Sequence, residues 1–142
     1  MIGIADPVVV VDSADLASEI TGFRCAWFVR ALRTLGGRKE APVRLGLARV
    51  MRESAEQFEA DVNGWHIEHA PAPHAFRLYR VAGDMRSIVE ALHLAALSAH
   101  PLVAAELRSA GRTFHAASEV VTSMGLFLYS EAVGPLGMEL EG

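Results

Sequence analysis

The sequence contains a single cysteine, Cys25, so no disulfide can form within one chain and no cluster of thiolates can bind a metal. Cys25 lies in a helical apolar pattern beside Trp27 and Phe28, which favours a small buried side chain over a nucleophile. The first eleven residues lack the basic region of a secretory signal and include Asp6 and Pro7. We therefore expect a cytoplasmic protein.

The sequence also lacks an apolar run long enough to cross a membrane, which needs about 18 or more residues. The nearest approach, residues 91–105, is interrupted by His93 and His100. Apolar residues nevertheless make up 51% of the chain, and the mean hydropathy is +0.25. We expect some of this apolar surface to form a subunit interface, and we predict a homodimer with no membrane partner.

Lysine is almost absent, because Lys39 stands alone beside twelve arginines, a composition typical of a GC-rich bacterial genome. Eight basic residues face only Glu40 between residues 24 and 52, which could indicate a DNA-associated regulator. They are Arg24, Arg30, Arg33, Arg38, Lys39, Arg44, Arg49 and Arg52.

The charges around this basic region favour solvated helix faces over a nucleic-acid site. The stretch that follows is acidic, and the formal net charge of the chain is −4. Helical spacing also predicts ion pairs between Arg49 and Glu53 and between Arg52 and Glu56. We therefore do not expect nucleic acid to be the main partner.

The last third of the chain has a seven-residue repeat. Apolar residues follow one another at alternating steps of four and three: Val103, Leu107, Ala110, Phe114, Ala117, Val121, Met124 and Leu128. Beside this seam runs a row of small residues with the same period: Ala104, Gly111, Ser118 and Gly125. The seam is typical of a coiled coil, and small residues let another backbone approach closely. We predict a long helix over residues 101–132 that packs centrally or against its own copy.

Three further helices are predicted from apolar periodicity. The first covers residues 14–35 and ends at Gly36-Gly37, and the second begins at Pro42 and closes at Asn63-Gly64. The third follows Asp84 and runs to about residue 99, before Pro101.

Residues 65–83 break the helical pattern, and we expect a short helix rather than a strand over residues 73–82, ending at Gly83. The one β-branched run, residues 8–11, would have to pair with residues 76–81 or a partner subunit, or lie along the helices. The sequence therefore predicts an all-α, four- to five-helix up-and-down bundle in one domain. Its parts are an extended segment over residues 1–12, a helical core over 13–134 and a tail over 135–142.

Half of the six histidines fall within nine residues of the irregular segment, namely His66, His69 and His74, with Glu68 among them. Three imidazoles and a carboxylate can hold zinc or another divalent metal and leave a position open for water. The alternative is a set of histidines that contact solvent or the backbone.

Glu90 and His93 form an E-x-x-H motif that resembles one half of a ferritin-like dinuclear metal site. A symmetric dimer would have to supply the second half, with Glu53 or Glu56 as a further ligand. Without a metal, a carboxylate that orients an imidazole makes a plausible general base, so Glu90 and His93 are the candidate catalytic residues.

The preferred hypothesis is a protein that binds a small apolar or aromatic molecule, with acid–base catalysis as an extension. Candidate ligand contacts are Trp27, Trp65, Tyr79, Arg86 and His100. His100 precedes Pro101, where its side chain could cap the following helix or reach a cleft. Alternative hypotheses are a structural or interaction module that dimerises through residues 101–132, a metal-dependent protein and a DNA-associated regulator.

Overall fold

The computed structural model describes residues 9–10, 24–66 and 72–141, and the side chains of residues 24–65 and 80–124. Almost all of this part of the chain is helical, which confirms the all-α prediction. The helices are α1 (Ala26–Gly37), α2 (Ala41–Gly64), α3 (Ala72–Leu97) and α4 (Pro101–Glu141). In these described ranges, no helix combines the length and apolar character that a membrane crossing needs.

One short parallel pairing accompanies the helices. Strand β1 (Val9–Val10) pairs with strand β2 (Trp65–His66), with Val9 opposite Trp65. The β-branched run thus pairs with Trp65–His66, and its predicted pairing with residues 76–81 is wrong, because those residues belong to α3. The up-and-down order of the bundle and the extended segment over residues 1–12 stay predictions.

The predicted bounds hold well for α2 and for the end of α1. Helix α2 begins at Ala41, with Pro42 in its first turn, and ends at Gly64. Helix α1 ends at Gly37, and the Leu35 carbonyl accepts hydrogen bonds from the backbone N–H of Arg38 and from Nη1 of Arg44. The predicted start of this helix near residue 14 lies outside the described residues.

The predicted break at Gly83 and Asp84 is wrong, because α3 runs unbroken from Ala72 to Leu97. Glycine in a helix interior costs only about 1 kcal/mol relative to alanine. Val81, Ala82 and Met85 are all buried around this point, and their burial on one helix offsets that cost.

The long helix also continues beyond its predicted end. The sequence predicts that end before Gly134-Pro135, with a tail after it, whereas α4 extends to Glu141. Pro135 lies inside this helix. A proline in a helix interior removes one backbone hydrogen bond and destabilises the helix by about 3 kcal/mol. The hydrogen bonds of the turns before and after it can still form, so the helix can continue.

Helix α4 is central, since it packs against both α2 and α3. Its apolar seam is at most 3% exposed from Val103 to Val121, and the next seam residue, Met124, is half-buried. The ring of Phe114 lies 4.7 Å from that of Phe28 in α1 and 5.3 Å from that of Phe58 in α2, measured between centroids. This part of the seam is therefore covered within one chain.

The row of small residues contacts α3 at Gly111. Ala104, Gly111 and Ser118 are buried, and a Cβ added to Gly111 would lie 3.1 Å from Cε1 and Nε2 of His93. The Ser118 hydroxyl donates to the His115 carbonyl at 2.6 Å, so the one buried polar side chain in this row is satisfied within α4. The absence of a side chain at Gly111 is what lets the His93 ring rest on the α4 backbone.

The Gly111–His93 contact can be tested with a double-mutant cycle. Gly111→Ala should stabilise the helix by about 1 kcal/mol through propensity, but its new methyl group presses on His93. We expect that gain in a His93→Ala background and a clearly smaller gain, or a loss, with His93 present. Urea denaturation of the four proteins measures the difference, and additive effects would contradict the contact.

Candidate functional site

A cavity of about 420 Å³ lies between the start of α2 and the joint from α3 to α4, and we call it the α2–α4 cavity. Its lining consists of Lys39, Ala41, Pro42, Arg44, Leu45, His100, Leu102 and Val103. Two three-residue loops, residues 38–40 and 98–100, precede α2 and α4, the two helices that form the cavity. Pro42 and Pro101 lie in the first turns of α2 and α4. A backbone N–H in the first turn of a helix has no acceptor within the helix, and proline has no N–H, so it suits this position.

His100 caps α4, as one of the two sequence alternatives predicted. Its Nδ1 accepts a hydrogen bond from the backbone N–H of Leu102 at 3.2 Å, and its carbonyl accepts one from Ala104 at 2.8 Å. A backbone N–H can only donate, so Nδ1 carries a lone pair and the hydrogen of the neutral imidazole is on Nε2. The cap therefore fixes the tautomer of a side chain that lines the cavity.

Arg44 and Lys39 place positive charge at the same cavity. Nη1 of Arg44 donates to the carbonyls of Leu35 and Arg38, which ties the end of α1 to the start of α2. The backbone N–H of Lys39 donates to Oε2 of Glu40 at 3.2 Å. Among the described residues, no carboxylate forms an ion pair with the Lys39 ammonium.

A second cavity, of about 310 Å³, lies between α1 and α2 and is lined by Arg24, Trp27, Phe28, Arg30 and Ser54. Nη2 of Arg24 is 2.6 Å from Oδ2 of Asp61, and its guanidinium lies 5.2 Å from the centroid of the Phe58 ring. The cationic charge of Arg24 is thus balanced within the chain.

Of the three predicted aromatic contacts, Trp27 lines the second cavity, and Trp65 lines neither of these two cavities. Trp65 packs against Phe58 instead, with the ring centroids 6.3 Å apart. The side chain of Tyr79 lies outside the described residues.

Glu90 and His93 are both exposed, and no hydrogen bond joins these two described side chains. Neither residue lines either of the two cavities. Arg86, on the same helix, points Nη1 towards Oγ1 of Thr122 in α4 at 3.4 Å. A catalytic role for the pair stays a prediction.

The predicted metal site depends on side chains that the structure does not describe. His69 lies outside the described residues, and only the backbone is described at His66 in β2 and at His74 in α3. Among the described residues, no three histidine, cysteine, aspartate or glutamate side chains form a metal-binding group. Binding of a divalent metal by this cluster stays a prediction.

The two glutamates considered as further metal ligands lie beside a guanidinium. Nη1 of Arg52 is 2.8 Å from Oε1 of Glu56, and Nη2 is 3.9 Å from Oε1 of Glu53. A metal at either carboxylate would compete with that cation.

The basic region of residues 24–52 is partly neutralised within the chain. The hydrogen bonds of Arg52 to Glu56 and to Glu106 raise the pKa of its guanidinium above the ordinary value. Arg49 pairs with Glu106 at 3.8 Å rather than with Glu53, so this predicted i,i+4 pair is wrong, whereas the pair of Arg52 with Glu56 is confirmed. Salt bridges to α4 favour the solvated-face interpretation over a nucleic-acid site.

Cys25 is buried, and burial followed by the negative charge of Asp84 raises the pKa of its thiol to about 11. Because the thiolate is the nucleophilic form, this thiol is poorly reactive at neutral pH. The side chain acts as a small apolar member of the core.

Comparison with known proteins identifies no relative. No protein-family model, no curated protein and no solved structure matches the chain. The function is therefore inferred from the geometry of the described residues.

Of the residues that line the α2–α4 cavity, the sequence predicts only His100 as a ligand contact. Lys39 and Arg44 belong to the predicted basic region, and no sequence pattern marks Leu45 or Leu102 as site residues. The sequence feature that bears on this cavity is the pair of prolines, Pro42 and Pro101, which mark the starts of the two helices that form it. Nothing in the sequence places those two starts next to each other.

Proposed function

We propose that the protein binds a small, largely apolar molecule in the α2–α4 cavity. The observation that carries the proposal is the cavity itself, with about 420 Å³ of space and apolar walls that include Leu45, Leu102 and Val103. Small-molecule sites in proteins are concave, mostly apolar and about 300–1,000 Å³ in volume, with a few polar groups that orient the ligand.

Two features support binding at this place. The His100 ring is held by its cap, and Arg44 is held by two carbonyls, so both polar groups are fixed before a ligand arrives. Groups fixed in advance lose little freedom on binding. The proposal concerns binding at this cavity. Acid–base catalysis by Glu90 and His93, which do not line it, stays a separate prediction.

The binding proposal can be tested with 1-hexanol as a probe and a matched pair of variants. Leu102→Ala removes part of the cavity wall, whereas Val50→Ala removes an exposed apolar side chain of α2 outside the cavity. Loss of about 1 kcal/mol of apolar contact should weaken binding to Leu102→Ala about fivefold. Binding to Val50→Ala should equal that of the wild type.

Titration followed by NMR measures both affinities and shows which residues respond. The largest shift changes are expected at Leu45 and Val103. Equal affinities for the two variants, or no binding of the probe to the wild type, would contradict the proposed site.

We also propose that the protein forms a homodimer through the end of α3. Leu94 and Leu97 are one helical turn apart and are 66% and 79% exposed. Exposed large apolar side chains at adjacent positions favour an interface. The heptad seam does not supply this interface between Val103 and Val121, since that stretch is covered within the chain.

Replacement of Leu97 by glutamate tests the dimer. We expect sedimentation to show a dimer for the wild type and a monomer for Leu97→Glu. A matched change on α1, Val29→Glu, should leave the dimer intact, because Val29 is an exposed residue of α1 and is not part of the proposed interface. A monomeric wild type would rule out this interface.

A further inference from the structure

We infer that the ligand of the α2–α4 cavity carries a carboxylate, bound by the ammonium of Lys39 and by Nε2–H of His100. This inference rests on the proposed function and adds the chemical class of the ligand. Its basis is the set of hydrogen-bonding groups that the lining side chains can still offer.

The polar side chains that line the cavity offer donors only. Lysine and arginine have no acceptor atom, and neutral histidine has one. In His100 that one acceptor, Nδ1, is already occupied by the backbone N–H of Leu102. A ligand with a carboxylate would therefore meet complementary groups, whereas an amine on the ligand would find no side-chain acceptor in this lining.

The charges near the cavity point in the same direction. The nearest acidic residue along the chain is Glu40, which is exposed and accepts a hydrogen bond from the backbone N–H of Lys39 rather than forming an ion pair with its ammonium. Arg38, on the other side of Lys39, adds a further exposed cation. The first turns of α2 and α4 also contribute the positive ends of their helix dipoles.

The cavity suits a single negative charge better than a phosphate. Its walls are largely apolar, and desolvation of a dianion has to be offset by several charged partners. Nη1 of Arg44 is engaged by the carbonyls of Leu35 and Arg38, which leaves the Lys39 ammonium as the least engaged cation. One ammonium and one neutral imidazole N–H match the charge and the two oxygens of a carboxylate.

Three probes with the same six-carbon chain separate the head group from the apolar part: hexanoate, 1-hexanol and hexylamine. Isothermal titration calorimetry at pH 8 measures each affinity. We expect hexanoate to bind about tenfold more tightly than 1-hexanol and hexylamine to bind least tightly.

Two variants test the proposed contacts. Lys39→Met keeps the apolar stem and removes the charge, while His100→Ser keeps an N-cap oxygen and removes the imidazole N–H. Each should lower the affinity for hexanoate about five- to tenfold and leave the affinity for 1-hexanol within twofold. Arg33→Met, an exposed charge on α1 outside the cavity, is the control for net charge and should change neither affinity.

The outcomes distinguish this inference from the proposed function. If hexanoate and 1-hexanol bind equally tightly and Leu102→Ala weakens both, the inference of a carboxylate ligand is wrong. The proposed apolar binding site would then still be supported. A preference for hexanoate that Lys39→Met and His100→Ser do not reduce would also overturn the inference. If none of the three probes binds, both proposals fail.

Discussion

Burial of α4 along two neighbouring rows of residues is the constraint on which the rest of the structure depends. In the apolar seam, Phe114 packs its ring against Phe28 of α1 and Phe58 of α2. In the row of small residues beside it, Gly111 lets His93 of α3 lie directly on the α4 backbone. Large apolar side chains thus contact two helices, and the missing side chain at Gly111 lets the third approach closely. The seven-residue period keeps both rows aligned along the helix.

The position of α4 also explains where a ligand site can form. Once α4 is fixed, its first turn lies beside the first turn of α2, and the space between them is the α2–α4 cavity. Arg44 ties the end of α1 to the start of α2, and His100 closes the start of α4. The same interactions that satisfy the helix ends therefore leave a cavity whose polar side chains are donors.

Some of this could be predicted from the sequence. Periodicity predicted the buried seam of α4, and Pro42 with Gly64 marked the two ends of α2, because these signals are local. The continuity of α3 through Gly83 could not be predicted, since burial from other helices outweighs the local cost of glycine. The cavity could not be predicted either, because Lys39 and His100 are far apart in sequence and come to line the same cavity only through packing.

The central claim is that a small apolar carboxylate binds at the starts of α2 and α4. Intermolecular nuclear Overhauser effects between the terminal methyl group of hexanoate and protein methyl groups test it most directly. Contacts with the methyl groups of Leu45, Leu102 and Val103 are the predicted result. Contacts confined to the second cavity, at Trp27 and Phe28, would contradict the claim.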